Sequence, residues 1–186
     1  NGAYLGAKVS QLPAPNVEHE VLLDAVFQRA DLGFTYLVPL GSAFALFAYV
    51  GYRHDNFYVQ PQTLSFYFTN HYHGLRGDLG GDVSLMSGAL VIEFAMGSLV
   101  PSVLVESFGA GQAGSSGDKP ETLGGSARLA VLYRGLPRGF GLGLHLDGTY
   151  YQTQFFGEGQ RAGTYFSNAL TSDQALLAGL ILHKGF

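Results

Sequence analysis

Apolar and polar residues alternate along most of this chain with a repeat of two, the period of extended strands and not of helices. The cleanest stretch sets Phe140, Leu142, Leu144 and Leu146 against Gly141, Gly143, His145 and Asp147. Seven more segments share the pattern: about 3–11, a segment ending in Leu32, Phe34, Tyr36 and Val38, Phe44 to Arg53, about 83–96, about 102–112, Ser126 to Arg134, and Leu176 to Phe186. Between them, 39–42, 97–101 and 135–139 carry Pro or Gly and read as short turns. The intervals 12–20, 54–82, 113–124 and 152–172 are longer and alternate with the short ones. The pattern therefore predicts one all-β domain over 1–186, with eight antiparallel strands in up-and-down order.

A helical rival exists at Leu32–Tyr52, a charge-free run of 21 residues long enough to cross a bilayer. Pro39 stands near its middle, with Gly33, Gly41, Ser42 and Gly51 around it. Two strands joined by a Pro-Leu-Gly-Ser turn account for those residues, and a helix does not.

The last eleven residues, Leu-Leu-Ala-Gly-Leu-Ile-Leu-His-Lys-Gly-Phe, put Leu176, Ala178, Leu180, Leu182 and Phe186 on one face. This segment resembles the closing strand of bacterial outer-membrane β-barrels, whose chains finish on a C-terminal Phe. Across its whole length the pattern is similar to the small eight-stranded OmpA, OmpX and OmpW families. The resemblance implies a monomeric, transmembrane, eight-stranded antiparallel up-and-down barrel in the bacterial outer membrane. Its long intervals would lie outside the cell, and the bilayer and outer-membrane lipids would be its first partners. Lys184 departs from the apolar residue the family prefers there; at a membrane boundary a lysine can snorkel.

Composition narrows the picture further. Charged residues make up 13% and glycines number 27, about half and about twice the usual shares. A water-facing barrel would carry more Lys and Glu. The net charge of −4 with no basic block excludes a nucleic-acid partner, and the absence of Cys excludes disulfides and thiolate metal sites. Tyr36, Phe44, Phe94, Tyr133, Phe140 and Phe186 fall on the apolar faces beside the short turns, as an interfacial girdle would. Tyr52 and Tyr150 would begin a second girdle.

Opposite those faces lie Lys8, Asp31, Arg53, Glu93, Glu106, Arg128, Arg134, His145, Asp147 and His183. Their signs nearly balance, which predicts a paired network plugging the lumen of an eight-stranded barrel. In 102–112 hydrophobicity leaves the register open, and turning Glu106 inward keeps a carboxylate from hydrocarbon. Glu93 and Glu106 are then expected on adjacent strands, with Arg128 as partner.

The long intervals hold the remaining chemistry. Asn70-His71-Tyr72-His73, followed by Asp78 and Asp82, offers two imidazoles and two carboxylates for a divalent cation in a loop. No other cofactor is expected. Phe57–Val59 and Leu64–Thr69 flank Gln60-Pro61-Gln62, an extracellular hairpin whose edge would receive a protein partner. Tyr165-Phe166-Ser167-Asn168-Ala169 is similar to the His-x-Ser-Asn-Ala pattern of lipid A deacylases, with Tyr165 in place of the His. A serine without its base is a poor nucleophile, so the functional expectation is a structural, adhesive or envelope-integrity role carried by the loops. The alternatives are a lipid A-modifying enzyme with Ser167 as nucleophile, or a narrow pore for small solutes.

Overall fold

A computed structural model describes residues 25–59, 69–107, 114–161 and 164–184. Seven strands form one antiparallel sheet in sequence order: β1 (Ala25–Pro39), β2 (Phe44–Val59), β3 (Thr69–Leu85), β4 (Leu90–Ser107), β5 (Lys119–Tyr133), β6 (Phe140–Phe156) and β9 (Leu170–Lys184). A small hairpin, β7 (Glu158–Arg161) with β8 (Thr164–Ser167), interrupts the connection from β6 to β9. The architecture is all-β, antiparallel and up-and-down, and it is compatible with a small barrel.

The sheet curls strongly. Side chains meet across its concave face: Asn70 on β3 reaches Asp173 on β9 at 2.7 Å, and Tyr151 on β6 reaches Asp55 on β2 at 2.8 Å. Glycines permit part of this closeness. Gly33 and Gly51 are register partners, and the Tyr49 ring lies against both, where a Cβ on either would collide with it. The Tyr49 hydroxyl can therefore donate to Asp31 on the next strand.

Short connections sit at one end of the sheet, at 40–43, 86–89 and 134–139. Non-glycine residues take left-handed backbone there: Met86 (φ 51°), Ser87 (φ 56°) and Arg138 (φ 63°). The opposite end carries the longer connections, so the expected asymmetry is present. Its residues are distributed differently. The stretch 54–82, expected as a loop, instead contains the outer end of β2 and most of β3. The expected turn at 97–101 lies inside β4, where the ladders to both β3 and β5 shift register by one residue around Val100 and Pro101. This is a β-bulge. Proline lacks the N–H a regular ladder needs, and a bulge tolerates its absence. The expected strands 83–96 and 102–112 thus belong largely to one strand. The expected loops 113–124 and 152–172 are likewise shortened, since β5 begins at Lys119, β6 runs to Phe156 and β9 begins at Leu170. The interval 12–20 and the expected first strand, 3–11, lie outside the described residues.

The two faces of the sheet differ in kind. The convex face carries Leu32, Phe34, Val50, Leu79, Met96, Leu144, Leu176 and Leu182, all exposed, with Phe34 at 87% and Leu182 at 76% of full exposure. The concave face buries charge, with Arg53 at 1% and Asp55 at 0%.

Candidate functional site

Three neighbouring strands each place an Arg-x-Asp step on the concave face: Arg29 and Asp31 on β1, Arg53 and Asp55 on β2, Arg76 and Asp78 on β3. Residues two apart in a strand share a face, and the antiparallel register sets Arg29 opposite Asp55 and Asp31 opposite Arg53. Opposite charges are thereby brought together by the ladder itself. Arg29 Nε lies 2.7 Å from Asp55 Oδ1, and the same guanidinium crosses the interior to Asp147 on β6. Arg53 pairs with Asp31 at 2.8 Å. Arg76 bridges Asp31 and Asp78. Three guanidiniums and four carboxylates close one layer, with Tyr49, Ser126 and Thr149 as hydroxyl partners.

A second layer lies toward the long-connection end. Phe27, Phe57, Tyr72, Leu99, Leu104, Tyr151 and Phe155 form a buried apolar cluster. Tyr72 and Tyr151 stack in parallel with ring centroids 4.0 Å apart, and Phe57 meets both edge-on. Their hydroxyls leave the cluster in opposite directions, Tyr72 to Asp173 and Tyr151 to Asp55. Burial pushes the Asp173 carboxyl above its usual range, with the hydrogen bonds from Tyr72 and Asn70 pulling the other way.

Toward the short turns, Arg128 meets Glu93 at 2.8 Å, as the sequence led one to expect. A cavity of about 740 Å³ adjoins them, lined by Arg29, Asp31, Arg76, Asp78, His145 and Asp147 among others. It reaches Leu32 and Gly33 on β1 and Leu180 to Leu182 on β9. His183 also falls on the concave side, by alternation, and Arg134, one residue past the end of β5, lies near Asp82. Lys8 and Phe186 lie outside the described residues.

Several expected groupings separate. Glu93 and Glu106 share β4 and lie at opposite ends of it; Glu106 does turn inward, where it accepts hydrogen bonds from the Ser116 amide (3.0 Å) and hydroxyl. His71 and His73 are on the convex face of β3, whereas Asp78 and Asp82 are on its concave face, so the four cannot share a cation. Among the described residues no three His, Asp or Glu side chains are disposed to hold a metal ion. His73 Nδ1 instead lies 3.0 Å from the Tyr52 hydroxyl, and the His71 ring stacks with His54 at 6.2 Å. Burial and the neighbouring His54 lower the His71 pKa.

Of the expected girdle, Tyr36, Phe44, Tyr133 and Phe140 stand on the convex face next to short turns; Phe94 is convex too, but four residues into β4. The displaced turn explains that shift. Ser167 is exposed on β8 opposite Glu158, and the strand histidines His145 and His183 lie toward the other end of the sheet.

Arg29, Asp55 and Arg76 are the members that reading for hydrophobicity overlooks. A signal for them exists in the threefold recurrence of Arg-x-Asp at 29–31, 53–55 and 76–78. No protein-family model, no curated protein and no solved structure matches this chain.

Proposed function

We propose that the chain is an integral outer-membrane β-barrel whose lumen is plugged, and that it acts structurally or adhesively through its long-connection end. One observation carries this reading. Starting at the short turns, the convex face is almost wholly apolar for 9–11 residues of each strand, for example Phe44–Tyr52, Leu75–Leu85 and Phe140–Tyr150. That is about the length a tilted strand needs to cross a bilayer core. Beyond the band the same face turns mostly polar, with Gln28, His54, Asn56, His71, His73, Glu121, Gln152, Gln154 and Gln174, although Val103 and Val105 on β4 stay exposed. Hydrocarbon on the outside and charge on the inside suits a bilayer as solvent and is costly in water.

Closure follows from the same physics. Unpaired edges on β1 and β9 would leave backbone groups unsatisfied in lipid, and 3–11 is the alternating segment available to pair with both. The ionic layer and the aromatic cluster lie one above the other, and together they block the path of a solute. Folding into lipid vesicles with heat-modifiable gel migration, and no conductance in planar bilayers, is the expected result. A chain that stays monomeric and soluble without detergent overturns the membrane reading, and steady conductance overturns the plug.

A further inference from the structure

We infer that the rim at the β6–β9 pair binds the headgroup of an anionic phospholipid, a site that rests on the membrane reading above. Positive charge is unevenly shared among the short turns. The connections 40–43 and 86–89 carry no charged residue, whereas 134–139 carries Arg134 and Arg138. Arg134, just past the end of β5, lies near Asp82. Arg138 is exposed at the turn itself.

Two residues further on, Phe140 pairs in register with Lys184 of β9, whose ammonium lies over the Phe140 ring at 4.6 Å from its centroid. The ring thus holds the second cation at the rim beside the turn that carries the first. The Tyr133 hydroxyl lies against Gly135, so this phenol also points toward the turn and away from the apolar band. Among the described residues no carboxylate faces outward at this end; Asp82 and Glu93 both face the interior.

Directly above this rim, Leu142 pairs with Leu182 and Leu144 with Leu180, all four exposed on the convex face. A phosphate between Arg138 and Lys184 would leave its acyl chains lying along these two leucine pairs. The site therefore matches both parts of one lipid, a single negative charge and the chains attached to it. The other short turns offer the apolar column without the cations. Cations near a bilayer surface each contribute attraction toward anionic lipid, and a localised pair gives position as well as affinity.

The test uses the full chain in nanodiscs containing dioleoyl phosphatidylglycerol and dioleoyl phosphatidylcholine, with retained lipid counted by native mass spectrometry. Retention of phosphatidylglycerol over phosphatidylcholine is expected. Arg138→Asn, which keeps a residue tolerant of positive φ, and Lys184→Gln should each lower that retention about fivefold. The double variant should abolish the preference, while Lys119→Gln at the opposite end should leave it intact. No preference in the wild type, its survival in the double variant, or an equal loss with Lys119→Gln overturns the site. Heat-modifiable migration of each variant reports that the barrel still folds. A chain that does not enter nanodiscs at all overturns the membrane reading and this site with it, a result separate from entry without lipid preference.

Discussion

The two halves of the sheet are built with opposite polarity. Near the short turns the convex face is leucine-rich and the concave face is charged, with Arg53, Arg76, Asp78 and Asp147 buried. Near the long connections the concave face is aromatic, with Phe27, Phe57, Tyr72, Tyr151 and Phe155 buried, and the convex face carries Gln, His and Asn. The same strands run through both halves without a break. The assignment of apolar residues to faces changes, at about the same height on β2, β3 and β6, while β4 keeps Val103 and Val105 outward. Buried charge is tolerated where it is paired and hydrogen-bonded, and buried rings are favoured where the outside is wet. The difference teaches that faces record the solvent they suit: an apolar outside with paired charge within suits hydrocarbon, and a polar outside with packed rings within suits water.

The comparison can be broken most severely in the aromatic half. Phe155→Ala empties a fully buried site and should cost about 3–5 kcal/mol of stability, read as a denaturant midpoint in detergent. A negligible shift would mean that this half is not a packed core. In the other half, Leu144→Arg places a cation near the middle of the apolar band and should cost about 2–4 kcal/mol of folding into vesicles. Gln154→Arg, on the same face of the same strand but beyond the band, should cost almost nothing. Equal costs at the two positions would remove the distinction between the halves.

Smaller effects sharpen it. Glu93→Gln breaks a pair whose side chains remain about one-third exposed, so water screens it and the loss should stay within about 1 kcal/mol. The Asp173 carboxyl is the last case. Burial raises its folded-state pKa above the unfolded value, so the stability it contributes is fully present below the unfolded value and is lost as pH rises through the folded one. Asp173→Asn should flatten that part of the stability-versus-pH curve, measured from the ordinary carboxylate pKa upward. An unchanged slope would show that this carboxyl is not what titrates there.

Much of the architecture was legible in the residues. β1, β2, β5, β6 and β9 announce themselves because one face is apolar and the other small or polar. β3 did not, and its own residues explain why. Apart from Tyr72, its concave face is polar, with Asn70, Arg76, Asp78 and Asp82; its convex face begins with two histidines, and Gly74, Gly77, Gly80 and Gly81 interrupt both. Such a segment looks like a loop until neighbours on either side satisfy its backbone. β4 misled in the opposite sense, since Gly97 to Pro101 carries turn residues and the structure uses them for a bulge. One error removed a strand and the other added one, so the two offset each other within the seven-stranded sheet of the described residues.

At the site, the inward turns of Asp31, Arg53, Glu93, Arg128 and Asp147 follow from alternation, because side-chain direction in a strand is local, and that of Glu106 from the cost of a carboxylate in lipid. By itself, then, the sequence determined the strand period, the apolar band and which residues share a face. Tertiary structure alone decided which charges meet. Arg29 finds Asp147, 118 residues away, and Asn70 finds Asp173 only because the sheet curls until distant strands face each other. It also decided that His71 and His73 part company with Asp78 and Asp82, since continuous pairing along β3 fixes opposite faces where a loop would have left them free to converge.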